Sequence, residues 1–141
     1  MKRLVIICVA FILLSGCSSD DIRRDNPFLM DLRFDVNINL NLPQFTNLNF
    51  SGNAVYLGGF GNAGIIVVNF GGNFYAWDAA DPNMIPEPCS RLQIVGLEGV
   101  SQCQQQNSYS LATGQPLQDG LLYPLYNYRL RHTGNIIRVF N

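Results

Sequence analysis

The chain is poor in ionisable residues, with one lysine, Lys2, and one histidine, His132, among its 141 residues. Charged residues make up 13% of the sequence, and beyond residue 16 seven arginines stand against ten acidic residues. This excess of negative charge leaves no basic surface for nucleic acid, so we predict no nucleic-acid partner. A Ser-His-Asp set is also disfavoured, because no serine lies in a nucleophile-elbow motif and the histidine is isolated.

Other absences restrict the fold and the chemistry further. No window of a dozen residues has the period of a helix, and no internal repeat recurs at the period of a solenoid. Asp78 and Asp81 are the one close acidic pair of the predicted folded part, and on a strand they would point to opposite faces. Asp81-Pro82-Asn83 is therefore interpreted as a turn. With no nucleophile, acid–base pair or phosphate-binding glycine motif, we predict no catalytic residues and no enzyme.

The first seventeen residues resemble the signal of a bacterial lipoprotein. Met1-Lys2-Arg3 is a basic start, Leu4–Leu14 is apolar, and Ser15-Gly16 leads directly into Cys17. The apolar run is too short to cross a ~30 Å hydrocarbon core as a helix. The resemblance implies cleavage before Cys17 and lipidation of its sulfur. It predicts anchoring in the bacterial cell envelope, at the outer membrane on its periplasmic or surface-exposed face. An ordinary signal peptide that leaves Cys17 as a thiol is the alternative.

This signal divides the chain into three segments. We predict a lipoprotein signal peptide at 1–16, a lipidated N terminus with a flexible tether at 17–33, and one folded domain at 34–141. The tether prediction rests on a mixture of serine, aspartate, arginine and asparagine without apolar periodicity. The remaining length suits one domain with a modest core.

From residue 34 the sequence predicts an all-β domain of small antiparallel sheets, a sandwich or a barrel. Apolar residues alternate with aspartate and asparagine across Phe34–Leu42, until Pro43 ends the run. Glycine-containing turns separate further short runs that are rich in β-branched and aromatic residues. These predicted strands are Ala54–Leu57, Ile65–Phe70, Phe74–Trp77, Leu92–Val95, Tyr109–Leu111, Tyr126–His132 and Ile136–Phe140.

Two cysteines remain for the folded domain once the signal peptide is removed and Cys17 takes the lipid. An even pair outside the cytoplasm predicts a disulfide between Cys89 and Cys103, which contributes about 3 kcal/mol by the loop-entropy estimate. A redox-active disulfide is one alternative, although no Cys-x-x-Cys motif or helix N-terminus activates either thiol. A zinc site from both cysteines with Asp81 and His132 is another, but the spacing matches no zinc pattern.

Several motifs follow one another in a fixed order between residues 54 and 141. A glycine-rich loop precedes Ile65–Val68, and Asn73–Asp78, a cysteine-containing loop and Tyr109–Pro116 come next. Tyr123–Leu130 and Gly134–Val139 complete the series. This order, with its Ala-Thr-Gly-Gln-Pro turn and its Tyr-Pro-Leu segment, resembles a Rieske iron–sulfur domain. The resemblance implies a Rieske-like all-β fold in which Cys-x-His and Cys-x-x-His loops bind a [2Fe–2S] cluster.

The chain departs from that pattern at the cluster ligands. Where the resemblance places the first Cys-x-His, the sequence has Asp81 and Asn83. In the second loop Cys103 remains, and the lost histidine aligns with Gln105 or Gln106. Neutral amides are weak ligands for iron, so no cofactor is expected. The chain resembles a lipoprotein branch of the family with a degenerate cluster site. An electron-transfer protein that retains a [2Fe–2S] cluster or another metal is the alternative.

What remains is a non-catalytic binding or structural module of the cell envelope, with an envelope protein or a glycan as its partner. Tyr126 and Tyr128 are predicted to share one face of a strand, with Arg129 and Arg131 on the other face. These four residues form a candidate partner surface, and ordinary solvation of a hairpin is the alternative. Glycan binding through exposed aromatic side chains is a second alternative, which requires a pocket with converging polar groups.

Overall fold

A computed structural model describes residues 26–141, which form nine strands and two short 3-10 turns. The predicted signal peptide at 1–16, Cys17 and the predicted tether up to residue 25 lie outside the described residues. Within the described part, no helix is long and apolar enough to cross a membrane. The strands are β1 (Asp35–Asn39), β2 (Asn53–Leu57), β3 (Ile65–Phe70), β4 (Asn73–Asp78), β5 (Leu92–Val95), β6 (Glu98–Ser101), β7 (Ser108–Ser110), β8 (Asn127–Thr133) and β9 (Ile136–Phe140).

The strands form two antiparallel sheets, which confirms the predicted all-β class. The larger sheet has six strands in the order β1-β9-β8-β4-β3-β2, and the smaller has three in the order β5-β6-β7. Tight hairpins connect β3 to β4 and β8 to β9, at the glycine-containing turns that the sequence indicates. Gly71, Gly72 and Gly134 in these turns have positive φ, which glycine adopts without steric cost.

Strand β3 lies between two cores. Its residues Ile65, Ile66, Val67 and Val68 are all fully buried, and successive side chains of a strand point to opposite faces of the sheet. Ile65 and Val67 therefore pack into one core, together with Ile38, Leu48, Tyr128, Ile137 and Val139. Ile66 and Val68 pack into the other core, together with Trp77, Leu92, Tyr109, Leu111 and Leu125. We call these the first core and the second core.

The smaller sheet covers the second core. Leu92, Tyr109 and Leu111 come from this sheet and its flanking turn, and the Trp77 indole N–H donates to the Leu111 carbonyl at 2.8 Å. Strand β6 was not predicted, because its four residues include a glutamate and a glycine and show no apolar alternation. It becomes a strand through its pairing with β5 on one side and β7 on the other.

Strand β1 ends at Asn39, three residues before the predicted end at Leu42. The Asn39 side-chain oxygen accepts a hydrogen bond from the Asn41 N–H at 2.9 Å, and its carbonyl accepts one from the Leu42 N–H at 3.0 Å. Asparagine favours such turns because its side chain competes with the strand ladder for backbone N–H groups. Within β1 the predicted alternation is retained, since Ile38 is buried in the first core.

Residues 26–33 pack on the domain, so the predicted tether at 17–33 is wrong for this part of the segment. Leu29 is 8% exposed and belongs to the first core. The Asn26 side-chain amide donates to the Pro82 carbonyl at 2.8 Å. Only a few apolar residues make these contacts, which is why the segment shows no periodicity in the sequence.

Candidate functional site

Two loops at one end of β4 are joined by a disulfide. The first loop, 79–91, follows β4, and the second loop, 102–107, connects β6 to β7. The Cys89 and Cys103 sulfurs are bonded, with their Cα atoms 4.8 Å apart, which confirms the predicted pairing. A backbone hydrogen bond reinforces this link, because the Gln102 N–H donates to the Cys89 carbonyl at 2.8 Å.

Asp81 links the same two loops through hydrogen bonds. Its side chain is fully buried. Its carboxylate accepts from the Asn83 backbone N–H at 3.0 Å, from the Asn107 side-chain amide at 2.8 Å and from the Tyr109 hydroxyl at 2.5 Å. The contact with Asn83 confirms the predicted turn. Because Asn107 lies in the second loop, the Asp81 carboxylate is used as an internal acceptor between the loops.

Asn83 extends this network to a third loop, 118–124, which precedes β8. Its side-chain nitrogen donates to the Tyr109 hydroxyl at 2.9 Å and to the Tyr123 carbonyl at 2.7 Å. Its side-chain oxygen accepts the backbone N–H groups of Leu122 at 2.8 Å and of Tyr123 at 2.9 Å. An asparagine side chain has two N–H donors and one oxygen with two lone pairs, so every hydrogen-bonding position of Asn83 is used.

The two glutamines that align with the lost histidine lie on the surface, outside the buried network of Asp81 and Asn83. Gln105 and Gln106 are exposed in the second loop. Gln106 has a φ of 49°, and its backbone N–H donates to the Cys103 carbonyl at 2.9 Å, which closes a tight turn. The Gln106 carbonyl also accepts from the Gln118 side chain at 3.1 Å, so the backbone of this residue joins the second loop to the third.

Asp78 is a second buried carboxylate, at the end of β4. It accepts from the backbone N–H of Asn62 at 2.7 Å and of Ala80 at 2.8 Å, and from the Tyr128 hydroxyl. Asp78 therefore holds the loop before β3 against the end of β4. Because Asp78 and Asp81 are each enclosed by their own donors, they do not form an acid–base pair across a cleft.

Each buried carboxylate contacts a buried tyrosine. Burial raises the pKa of Tyr109 far above its usual value, and the hydrogen bond to Asp81 adds to this rise. Burial likewise raises the pKa of Tyr128, with the charge of Asp78 as the next cause. Both phenols therefore stay protonated throughout the neutral range, where they serve as hydrogen-bond donors.

The residues present do not fit a Rieske cluster, which needs two thiolates and two imidazoles. The Cys89 and Cys103 sulfurs are bonded to each other. His132 lies on β8, where its ring packs edge-on against Phe74 at 4.7 Å between centroids. Within residues 26–141 the one group of three neighbouring metal-ligating side chains is Glu87 with the two cysteines. The zinc alternative, which requires Asp81 and His132 beside these cysteines, is therefore wrong.

The predicted partner surface at β8 does not form. Tyr126 and Tyr128 do share a face, but they are 6% and 2% exposed and belong to the first core. The Phe34 ring packs edge-on against Tyr128 at 4.7 Å, and the Tyr126 hydroxyl donates to Asp31 at 3.0 Å. Segments on the N-terminal side of β1 thus cover the tyrosine face. Arg129 and Arg131 are exposed on the opposite face, as predicted.

A cavity of about 420 Å³ opens beside the third loop, and sequence reasoning did not find it. Four of its eleven lining residues are aromatic. Two of these, Tyr75 and Trp77 on one face of β4, lie nearly parallel, at 14° and 6.2 Å between ring centroids. Among the described residues that line it, none carries a charge. The other polar and aromatic lining residues are Asn26, Thr113, Gln115, Tyr123, Tyr126 and Asn127. A size of this order is typical of small-molecule pockets.

Comparison with known proteins finds similarity at the level of structure. No family model and no curated protein matches the sequence. A chain of the complex of reduced oxygenase and oxidized ferredoxin in carbazole 1,9a-dioxygenase is 19% identical, with a TM-score of 0.47, over 64% of this chain and 82% of that chain. The ferredoxin of carbazole 1,9a-dioxygenase from Nocardioides aromaticivorans is 18% identical, with a TM-score of 0.45, over 66% of this chain and 90% of that chain.

A third similar structure is described as the small subunit of an NADH-dependent nitrite reductase from Mycobacterium tuberculosis. It is 18% identical, with a TM-score of 0.46, over 79% of this chain and 97% of that chain. The descriptions of these neighbours name an oxygenase–ferredoxin complex, a ferredoxin and a nitrite reductase subunit. The Rieske-like reading of this chain rests on its own sequence motifs and on its two antiparallel sheets. At TM-scores below 0.5 these likenesses carry no argument about this chain. No cluster, activity or partner of those proteins follows for this chain.

Proposed function

We propose that this chain is a lipid-anchored protein of the bacterial cell envelope whose domain is a non-catalytic binding or structural module. One observation carries the proposal: the loops that would bind a cluster in a Rieske-like domain are joined here by the Cys89–Cys103 disulfide and by the buried Asp81–Asn107 contact. A structural disulfide indicates an oxidising compartment. This supports export, for which the lipoprotein-like signal and Cys17 are the sequence evidence.

The chemistry of the loop residues supports a structural role for them. A cluster or a catalytic thiol needs free thiolates, and the two cysteine sulfurs within residues 26–141 are bonded to each other. The Asp81 carboxylate and the Asn83 amide, which stand at cluster-ligand positions, form hydrogen bonds inside the protein. Binding would then use the surface or the aromatic cavity rather than these groups.

The test is to express the full chain in a bacterial host, fractionate the envelope and extract the protein in detergent. We expect it in the membrane fraction, and we expect Cys17→Ser to release it, because that variant cannot be lipidated. The extracted protein should show no visible absorption and contain neither iron nor acid-labile sulfide. A brown protein with both would contradict the proposal and favour the electron-transfer alternative.

Glycan binding is a second candidate, which the aromatic cavity favours. The half-buried Tyr75 ring, which lies nearly parallel to the buried Trp77 ring beside it, offers an apolar face that suits the C–H groups of a sugar ring. The exposed Gln115 side chain can donate to or accept from sugar hydroxyls, and the described lining residues are uncharged, which suits a neutral ligand. Titration with cellobiose, maltose and N,N′-diacetylchitobiose, followed by the emission of Trp77, tests it. Binding that Tyr75→Ala abolishes would support this candidate, and no response to any of the three sugars would remove it.

A further inference from the structure

The described chain begins at the same end of the domain as the disulfide-linked loops. Asn26, the first described residue, donates its side-chain N–H to the Pro82 carbonyl of the first loop at 2.8 Å. Its side-chain oxygen accepts the Phe28 N–H at 2.8 Å, and the Phe28 ring packs edge-on against Tyr123 of the third loop at 6.3 Å. The N-terminal segment is therefore fixed to the first and third loops where it enters the domain.

The same end exposes two large apolar side chains. Leu122 is 79% exposed, the highest value for a large apolar side chain among residues 26–141, and Ile85 is 68% exposed. They lie on neighbouring loops, because the Asn83 side chain accepts the Leu122 N–H at 2.8 Å. We call Ile85 and Leu122 the apolar tip. Exposed apolar side chains mark protein or membrane interaction sites when they form a contiguous patch with a polar rim.

The length of chain between the anchor and the domain brings a membrane within reach. Nine residue steps separate Cys17 from Asn26, which span at most about 30 Å even when fully extended. The domain itself is roughly 35 Å across for its number of residues. Because the chain enters the domain beside the apolar tip, a lipid on Cys17 brings this end within reach of the bilayer. The opposite end of β4, where Phe70 lies in the β3–β4 hairpin, is farther from the point of entry.

From this placement we propose that the apolar tip faces the membrane and inserts into its headgroup region, an inference that rests on the lipid anchor of the proposed function. The apolar face of an interfacial helix is buried about 5–10 Å into the boundary between headgroups and acyl chains, and we expect the apolar tip to enter the same region. The surface that suits this end is a neutral phospholipid bilayer, because Glu87 and Asp119 are exposed close to Ile85 and Leu122 in the sequence. Their negative charges disfavour an anionic surface.

Tryptophan placed at each end of the domain tests the orientation. The lipidated full chain is reconstituted into phosphatidylcholine vesicles, with or without brominated acyl chains that quench indole emission on contact. Leu122→Trp adds an indole at the apolar tip, and Phe70→Trp adds one at the opposite end, where the native residue is 45% exposed. The wild-type protein supplies the background of Trp77, which is 6% exposed. Ile85→Trp repeats the measurement on the first loop.

We expect brominated lipid to remove most of the emission that Leu122→Trp and Ile85→Trp add, and to leave the emission added by Phe70→Trp unchanged. Equal quenching at both ends, or no quenching at the tip, would overturn the inference. Vesicle flotation separates this result from the proposed function. Protein that floats without quenching at the tip is anchored in another orientation, whereas protein that does not float refutes the anchor and the inference together.

Discussion

Replacing Tyr109 with phenylalanine removes one hydroxyl group from the network that joins the three loops. Tyr109 is fully buried, and its hydroxyl donates to Asp81 at 2.5 Å while it accepts from Asn83 at 2.9 Å. The substitution deprives a buried carboxylate of one of its donors. A hydrogen bond to a charged group contributes about 1.5–3 kcal/mol, so we expect a loss of stability of that size.

The assay is urea unfolding with the disulfide intact, followed by the emission of Trp77. For a domain of this size the expected loss lowers the unfolding midpoint by about 1–2 M. Tyr75→Phe is the matched control, because the structure shows no hydrogen bond of the Tyr75 hydroxyl within residues 26–141. This control should change stability by less than about 0.5 kcal/mol.

A double-mutant cycle with Asp81→Asn isolates the contact between the two side chains. If the Asp81 carboxylate and the Tyr109 hydroxyl interact as described, the coupling energy should fall in the range of about 0.5–3 kcal/mol. Equal effects of Tyr109→Phe and Tyr75→Phe, with no coupling in the cycle, would refute the idea that this network joins the loops.

Three further predictions concern stability. Joint replacement of Cys89 and Cys103 by alanine opens a loop of sequence separation 14, and calorimetry should show a loss of about 3 kcal/mol, or roughly 10–15 °C in Tm. The raised pKa values of Tyr109 and Tyr128 leave stability unaffected below the unfolded-state pKa of about 10. Above about pH 10, the free energy of unfolding should fall by about 1.4 kcal/mol per pH unit for each phenol that ionises only on unfolding. Stability that stays constant with pH in rapid alkaline unfolding experiments would contradict this. Gly114→Ala places a Cβ 2.7 Å from the Trp77 ring at a φ of +73°, whereas a Cβ on Gly134 in the β8–β9 turn meets no atom within 4 Å. Chemical denaturation should therefore show a larger loss of stability for Gly114→Ala than for Gly134→Ala.

Strands with a run of apolar residues or a clear alternation were predictable, such as Ile136–Phe140, and the strand that forms by pairing alone was not. Ile65–Phe70 matches the prediction at both ends, because a run of β-branched residues packs well on the buried faces of a pleated sheet. Glu98–Ser101 has no such run, and it is a strand because two neighbours supply its hydrogen bonds. The disulfide was predictable from the cysteine count once export was assumed, since the two cysteines left for the folded domain have one way to pair.

The error at Tyr126 and Tyr128 has a specific physical origin. Alternation correctly placed the two side chains on one face, but it does not indicate whether another segment covers that face. Phe34 and Asp31 provide the cover, and Asp31 lies in a segment without periodicity that was interpreted as tether. The buried role of Asp81 was missed for a related reason, since its partner Asn107 is distant in the sequence.

The central claim is that a disulfide, and not a cluster, joins the two loops. Native mass spectrometry tests it most directly, on protein extracted from cells that are lysed with an alkylating agent and without reductant. If the Cys89–Cys103 disulfide joins the loops, neither cysteine will be alkylated until a reductant is added, and the mass will be that of the lipidated chain alone. Alkylation of both cysteines in the native protein, or the added mass of two irons and two sulfides, would contradict the account.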